Sequence, residues 1–230
     1  ASAGKLTGRK TFVVDGDVAD LFIVAARTSG KPGDTAGIGL FLVPKGAPGL
    51  TVKHLALADS RGAAEVSFDN TPAEPLGDNA DWDALEAILD RARIGLSAEM
   101  LGSALQAFEI TLDYLKVRTQ FGQVIGTFQS LQHRAAKMFT DLEMARSAIE
   151  AGLEALDSGA TDVRAAASLA KCKASELVHL VSNEMVQMHG GIGMTDVHDA
   201  GLYMKRARVA EALFGGASLH RDRYARLMGF

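Results

Sequence analysis

Three features of the 230-residue chain predict an α+β fold. Residues 1 to about 76 alternate short apolar, β-branched runs with turns rich in Gly, Asp and Pro. From about residue 81 onward, apolar side chains recur at helical spacing. Between the two lies TPAEPLGDNADWD, with two prolines and four Asp or Asn residues, a composition that ends one kind of structure before another begins. The expectation is a partial β-domain over 1–76, then an antiparallel bundle of four to five helices over 81–230.

In the first part KTFVV, ADLFIVAAR, GIGLFLVP, LTVKHLAL and AAEVSF read as strands, separated by VDGD, SGKPGD, KGAPG and ADSRG turns. In the second part Leu101, Leu105, Phe108, Leu112 and Leu115 form one helical stripe. Leu131, Ala135, Met138, Leu142, Ala145 and Ile149 form another. Gly159 stops that helix, and Thr161 with Asp162 starts a third that runs to about Met188. HGGIGMT breaks it, a fourth helix is expected from about Asp196 to Phe214, and Gly215-Gly216 precedes a short last one. The chain opens at ASAGKLTGRKTFVVDG, without a methionine and inside a β-region, which predicts a piece of a longer protein.

Composition is that of a soluble globular domain: 47% hydrophobic, 23% charged, net charge −4. That charge favours neither nucleic acid nor an anionic membrane surface. No run of 18 apolar residues and no signal peptide is present, so a cytoplasmic bacterial protein is expected. The single cysteine, Cys172, excludes an internal disulfide and a cysteine-rich metal site. Residues 205–226 carry six Lys or Arg against Glu211 and Asp222, which reads as a solvated helix face or a seat for a phosphate-bearing ligand. No HxxxH, HxxEH or GxSxG spacing occurs, so no metal site or serine nucleophile is predicted.

Three loops remain as candidates: 118–129, 187–194 and 214–219. The first, within RTQFGQVIGTFQSLQ, combines a cation, two phenylalanines and four amides, where a plain connector is rich in Ser, Asp and Pro. The second, QMHGGIGMT, reads either as a helix C-cap or as bare backbone for close approach to a ligand.

YLKVRTQFGQVIGTFQSLQHRAAKM followed by EMVQMHGGIGMTDVHDAGLYMKRAR resembles the C-terminal helical domain of the acyl-CoA dehydrogenase flavoproteins. LTGRKTFVVDGDVADLFIVAAR is similar to the family's middle β-domain, and the PLG of residues 75–77 to the entry of its long helix. The resemblance implies FAD as cofactor, an acyl-CoA thioester as substrate, a dimer or tetramer, and an electron-transfer acceptor. It implies that Arg118 pairs with the pyrophosphate of a neighbouring subunit's FAD, with Gln120, Phe121 and Gln129 on the adenosine side. Gln187, Gly190 and Gly191 then bring backbone N–H groups to the same cofactor, and Arg93 is implied near substrate. A domain preceding residue 1 is implied to form part of the substrate pocket.

The same resemblance exposes departures. The family's loop reads aromatic-Glu-Gly-Thr-Ser, its glutamate being the base that removes the α-proton; here FGGAS places Gly215 there, with Ala217 and Leu219 at polar positions. The alternative seat for the base, before the helix arginine, is Ala92. The strand motif facing the flavin reads Phe12-Val13-Val14, without its threonine. The expectation is a subunit that completes a partner's flavin site in a heterotetramer with a glutamate-bearing homologue. Open alternatives are a homomeric enzyme whose base is relocated to Glu211 or Glu99, a non-enzymatic dimerising scaffold, and an oxidase or monooxygenase on the same fold.

Overall fold

A computed structural model describes residues 1–77 and 81–230. Residues 78–80, the middle of the expected boundary stretch, lie outside the described residues. The chain divides into two compact units, Ala1–Ile88 and Leu89–Phe230.

The first unit holds β1 (Lys5–Val14), β2 (Leu21–Arg27), β3 (Ile38–Pro44), β4 (Leu50–Ala56), β5 (Gly62–Pro72) and β6 (Glu74–Pro75). They form two three-stranded antiparallel sheets, β1-β5-β4 and β2-β3-β6. Alternation explains which side is buried: on β2, Phe22 and Val24 point inward while Leu21 and Ile23 are exposed. Leu6, Phe41, Val43, Ala64, Val66 and Phe68 complete the core shared by both sheets. β1 is longer than the sequence indicates, because its whole length pairs with β5. That ladder slips twice, between Leu6 and Gly8 and between Lys10 and Val13. Phe12 falls in the second bulge at φ 54°.

The helices are α1 (Trp82–Val117), α2 (Gln129–Ser158), α3 (Val163–His189), α4 (Ala200–Ala212) and α5 (Ala217–Leu227). Gly159 ends α2 in the left-handed conformation, as expected of a C-capping glycine. The buried face of α1 is centred on Met100, Ala104, Ala107, Phe108, Thr111 and Leu115; Leu101, Leu105 and Leu112 flank it, half-buried. α3 is the central element, packing against α2, α4 and α5 through Ala170, Ala174, Leu177, Val181 and Met185. α4 begins at Ala200 instead of near Asp196, because Gly190–Met194 forms a 3₁₀ turn that defers the next helix. No helix of the described residues is long and apolar enough to cross a membrane.

Candidate functional site

The elbow at 118–129 is an ordered structure. α1 ends at Val117, and Thr119–Gln120 pairs with Gln123–Val124 as a two-residue hairpin, β7 and β8. Its turn residues Phe121 and Gly122 both have positive φ, 53° and 78°. Such a turn suits Asn-Gly far better than Phe-Gly. Phe121 is nevertheless there, and it is 91% exposed. A 3₁₀ turn, Ile125–Thr127, then leads into α2. A Cβ on Gly126 would lie 2.7 Å from the carbonyl oxygen of Leu115, so only glycine lets this turn sit on the end of α1. Gly126→Ala is therefore expected to cost about 1–3 kcal/mol, read as a lower Tm, and to displace the hairpin.

Arg118 and Gln120 are exposed on this hairpin, and Gln129 opens α2. Among the described residues no carboxylate or carbonyl engages the Arg118 guanidinium. By contrast Arg134, Arg206, Arg208, Arg221, Arg223 and Arg226 are all ion-paired. Those pairings also dispose of the basic patch at 205–226: its arginines are neutralised by Glu99, Glu211, Glu176, Asp90 and Asp222.

The second loop comes to the same end of α1. The Tyr114 hydroxyl donates to the carbonyl oxygen of His189 at 3.3 Å, and their rings lie 4.3 Å apart. His198 stacks on the other side, 4.2 Å from His189. His189 is buried, its Nδ1 2.7 Å from the Met185 carbonyl oxygen, and burial lowers its pKa below the usual range. His189 and His198 thus anchor the loop. Gln187, Gly190 and Gly191 are exposed, and a Cβ on either glycine would meet nothing. Gly193 is different: its Cβ would lie 2.8 Å from the Val186 carbonyl oxygen, so packing requires that glycine.

The third loop lies elsewhere. Gly215 sits between α4 and α5, beside His220, which lies near Arg93, Lys171 and Arg223. Arg93 and Tyr114 are 21 positions apart on α1, roughly 30 Å at 1.5 Å per residue. The 118–129 elbow and the 214–219 turn therefore lie against well-separated parts of one helix.

Arg93 is not displayed to a ligand; it is 7% exposed and bonds through Nη1 to Asp90 Oδ1 at 2.7 Å. Both candidate replacement bases are held in ion pairs. Glu211 accepts from Arg208 Nη1 at 2.6 Å, with His179 Nδ1 at 3.2 Å. Glu99 is held by Arg206 at 2.7 Å. No group of three His, Cys, Asp or Glu among the described residues could hold a metal ion.

His220, fully buried, has its pKa pushed down to about 4. Burial is the main cause, and the charges of Arg93, Lys171 and Arg223 add to it. The native ring stays neutral to about pH 4, whereas an unfolded one protonates near 6.5. Acidification through that window favours the unfolded state, so stability is expected to fall from pH 6.5 toward 4. Urea denaturation across that range should show a shallower fall in His220→Leu.

Comparison with known proteins follows the same division of the chain. The family profile described as "Acyl-CoA dehydrogenase, middle domain" matches residues 3–71, and "Acyl-CoA dehydrogenase, C-terminal domain" matches 81–229. The chain is 34% identical over 94% of its length to acyl-CoA dehydrogenase IpdE2 of Mycolicibacterium smegmatis, covering 60% of that protein. It is 31% identical over 96% of its length to the mitochondrial short/branched chain specific acyl-CoA dehydrogenase of Bos taurus, covering 52% of it. It thus spans little more than half the length of these relatives. Among solved structures, the Tcur3481-Tcur3483 steroid ACAD G363A variant superposes with a TM-score of 0.86 at 35% identity, over 97% of this chain and 59% of that one. The ChsE4-ChsE5 complex from Mycobacterium tuberculosis gives 0.87 at 26% identity, over 98% of this chain and 60% of that one. Matches that run through both units in order leave one conclusion: the chain belongs to the acyl-CoA dehydrogenase family.

Proposed function

We propose that this chain takes part in FAD-dependent α,β-dehydrogenation of an acyl-CoA thioester, as a subunit that completes the flavin site of a partner. The observation that carries the reading is the pairing of Arg118 with Phe121. Arg118, whose guanidinium has no partner among the described residues, shares the hairpin with an aromatic ring that the fold holds exposed, in a backbone conformation phenylalanine disfavours. The Phe121 conformation costs stability, and a ligand with phosphates and flat rings would engage both groups. Gln120, Gln129, Gln187 and the open backbone of Gly190 and Gly191 border the same end of the helix and fit such a ligand. FAD supplies the electron sink when bound; these residues orient and hold it.

The surroundings of Gly215 support the second half of the reading. Gly215 carries no side chain to take a proton, and Glu211 and Glu99 are both committed to ion pairs. The partner is therefore a homologue that bears the glutamate, and an external acceptor removes the electrons. The names of two structural relatives, each joining two components, agree with a heteromeric assembly. The test is flavin reduction by a panel of acyl-CoA thioesters, comparing the protein alone with its complex with a glutamate-bearing homologue. Bleaching by the complex only is expected. Bleaching by the protein alone, abolished in Glu211→Gln, would establish a relocated base instead. Bound FAD that no acyl-CoA reduces in the complex would favour a scaffold.

A further inference from the structure

The four-residue turn between α4 and α5, residues 213–216, is held from two sides. Lys171, on the buried face of α3 and itself 0% exposed, carries its ammonium group to the end of α4. Its Nζ donates to the carbonyl oxygens of Ala210, Glu211 and Gly215 at 3.1, 3.2 and 2.9 Å, and to Ser175 Oγ at 3.0 Å. From the other side, His220 in the first turn of α5 donates from Nε2 to the carbonyl oxygen of Phe214 at 2.9 Å. Its Nδ1 is buried with no hydrogen-bond partner among the described residues. Leucine would fill much the same space without that desolvated nitrogen, so the bond to Phe214 is what histidine adds.

These anchors fix two consecutive residues in the left-handed region, Phe214 at φ 56° and Gly215 at φ 101°. A Cβ built on Gly215 would meet His220 Nε2 and Leu219 Cδ2, each at 3.0 Å. Leu219 is exposed and can swing away; the His220 ring is enclosed and cannot. We propose that Lys171 and His220 form a lock that closes position 215 to any side chain, so that the base position of this subunit is sealed by its fold as well as vacated by its sequence. The word "sealed" rests on the half-site reading above; the lock itself rests on geometry alone. Its consequence is that glutamate cannot be returned to position 215 by one substitution. The backbone there must leave the left-handed region first, and both anchors oppose that.

The test is a double-mutant cycle in the assembled protein, with Gly215→Ala combined in turn with His220→Ala, His220→Gln and Lys171→Met. In the parent, Gly215→Ala is expected to lower Tm by about 5–10 °C, from left-handed strain plus the contact with His220. With His220→Ala or Lys171→Met the added cost should shrink to about 1–2 °C, because the turn can then relax. His220→Gln keeps a donor for Phe214 and should restore the full penalty. Hydrogen exchange of the 213–217 amides should accelerate in Lys171→Met and His220→Ala and stay slow in His220→Gln. Additive costs across the cycle, with unchanged exchange, would overturn the lock whatever the flavin content. Absence of FAD from the unmodified assembly would instead overturn the functional reading, with the coupling left intact.

Discussion

Replacing Asp90 with alanine is expected to destabilise the helical unit by about 3–5 kcal/mol. Asp90 is 1% exposed on α1 and holds two guanidinium groups. Arg93 Nη1 reaches its Oδ1 at 2.7 Å, Arg223 Nη1 the same oxygen at 2.9 Å, and Arg223 Nη2 its Oδ2 at 3.0 Å. Arg223 extends the network to Ser168 Oγ and the Arg164 carbonyl oxygen, tying α5 to α1 and α3. Such a pair adds little over a well-packed apolar core, but removing its anion takes a charged partner from two poorly solvated cations at once. Asp90→Asn should lie between parent and alanine variant, since an amide still accepts one bond. Denaturant titration of the full chain checks this; a loss below about 1 kcal/mol would place the network among the weak surface pairs.

Arg118→Ala should act on the cofactor and leave the fold alone. The residue is exposed and unpartnered, so its removal breaks no internal contact among the described residues. Losing a charge-assisted contact to a pyrophosphate costs about 1.5–3 kcal/mol, or roughly 10- to 150-fold in affinity. Equilibrium dialysis of the assembly with FAD should show that loss while circular dichroism and Tm stay at parent values. Arg118→Lys should recover part of it, since an ammonium keeps the charge but not the planar fork. Unchanged FAD affinity would remove Arg118 from the site.

The elbow shows why some of the site was legible and some was not. Arg118, Phe121 and the Gly190-Gly191 pair stood out because their residue types are costly where a plain connector would run. Their neighbours did not. Tyr114 looks like one more residue of a long helix, and His189 and His198 look like helix-end polar groups, yet the three rings stack to join the two loops. The strand and helix periods foretold both units, because each period reports burial on one face. They could not foretell that α4 starts late, since a 3₁₀ turn keeps local hydrogen bonding without a helical stripe.

Lys171 is the instructive omission. It sits on the buried stripe Ala167, Ala170, Ala174 and Val178, where an apolar residue belongs. A lysine on an apolar stripe reads from sequence as a break in the pattern. Its meaning appears only when α4 and the turn after it deliver three carbonyl oxygens to its ammonium group. Burial lowers that group's pKa to about 8, partly offset by the charge of Glu211, so it still carries its proton at neutral pH. Glu211 and Glu99 show the converse. Both are plausible bases by spacing, and only the positions of Arg208 and Arg206 show that each carboxylate is already engaged.

We propose that this chain lends half a flavin site to a partner and has no working site of its own. Counting flavins in the assembly purified with its partner, by absorbance after denaturation, with and without Arg118→Ala in this chain alone, tests this most directly. Half as many flavins as chains are expected, falling toward none when this chain carries Arg118→Ala. As many flavins as chains, unaffected by that substitution, would contradict it.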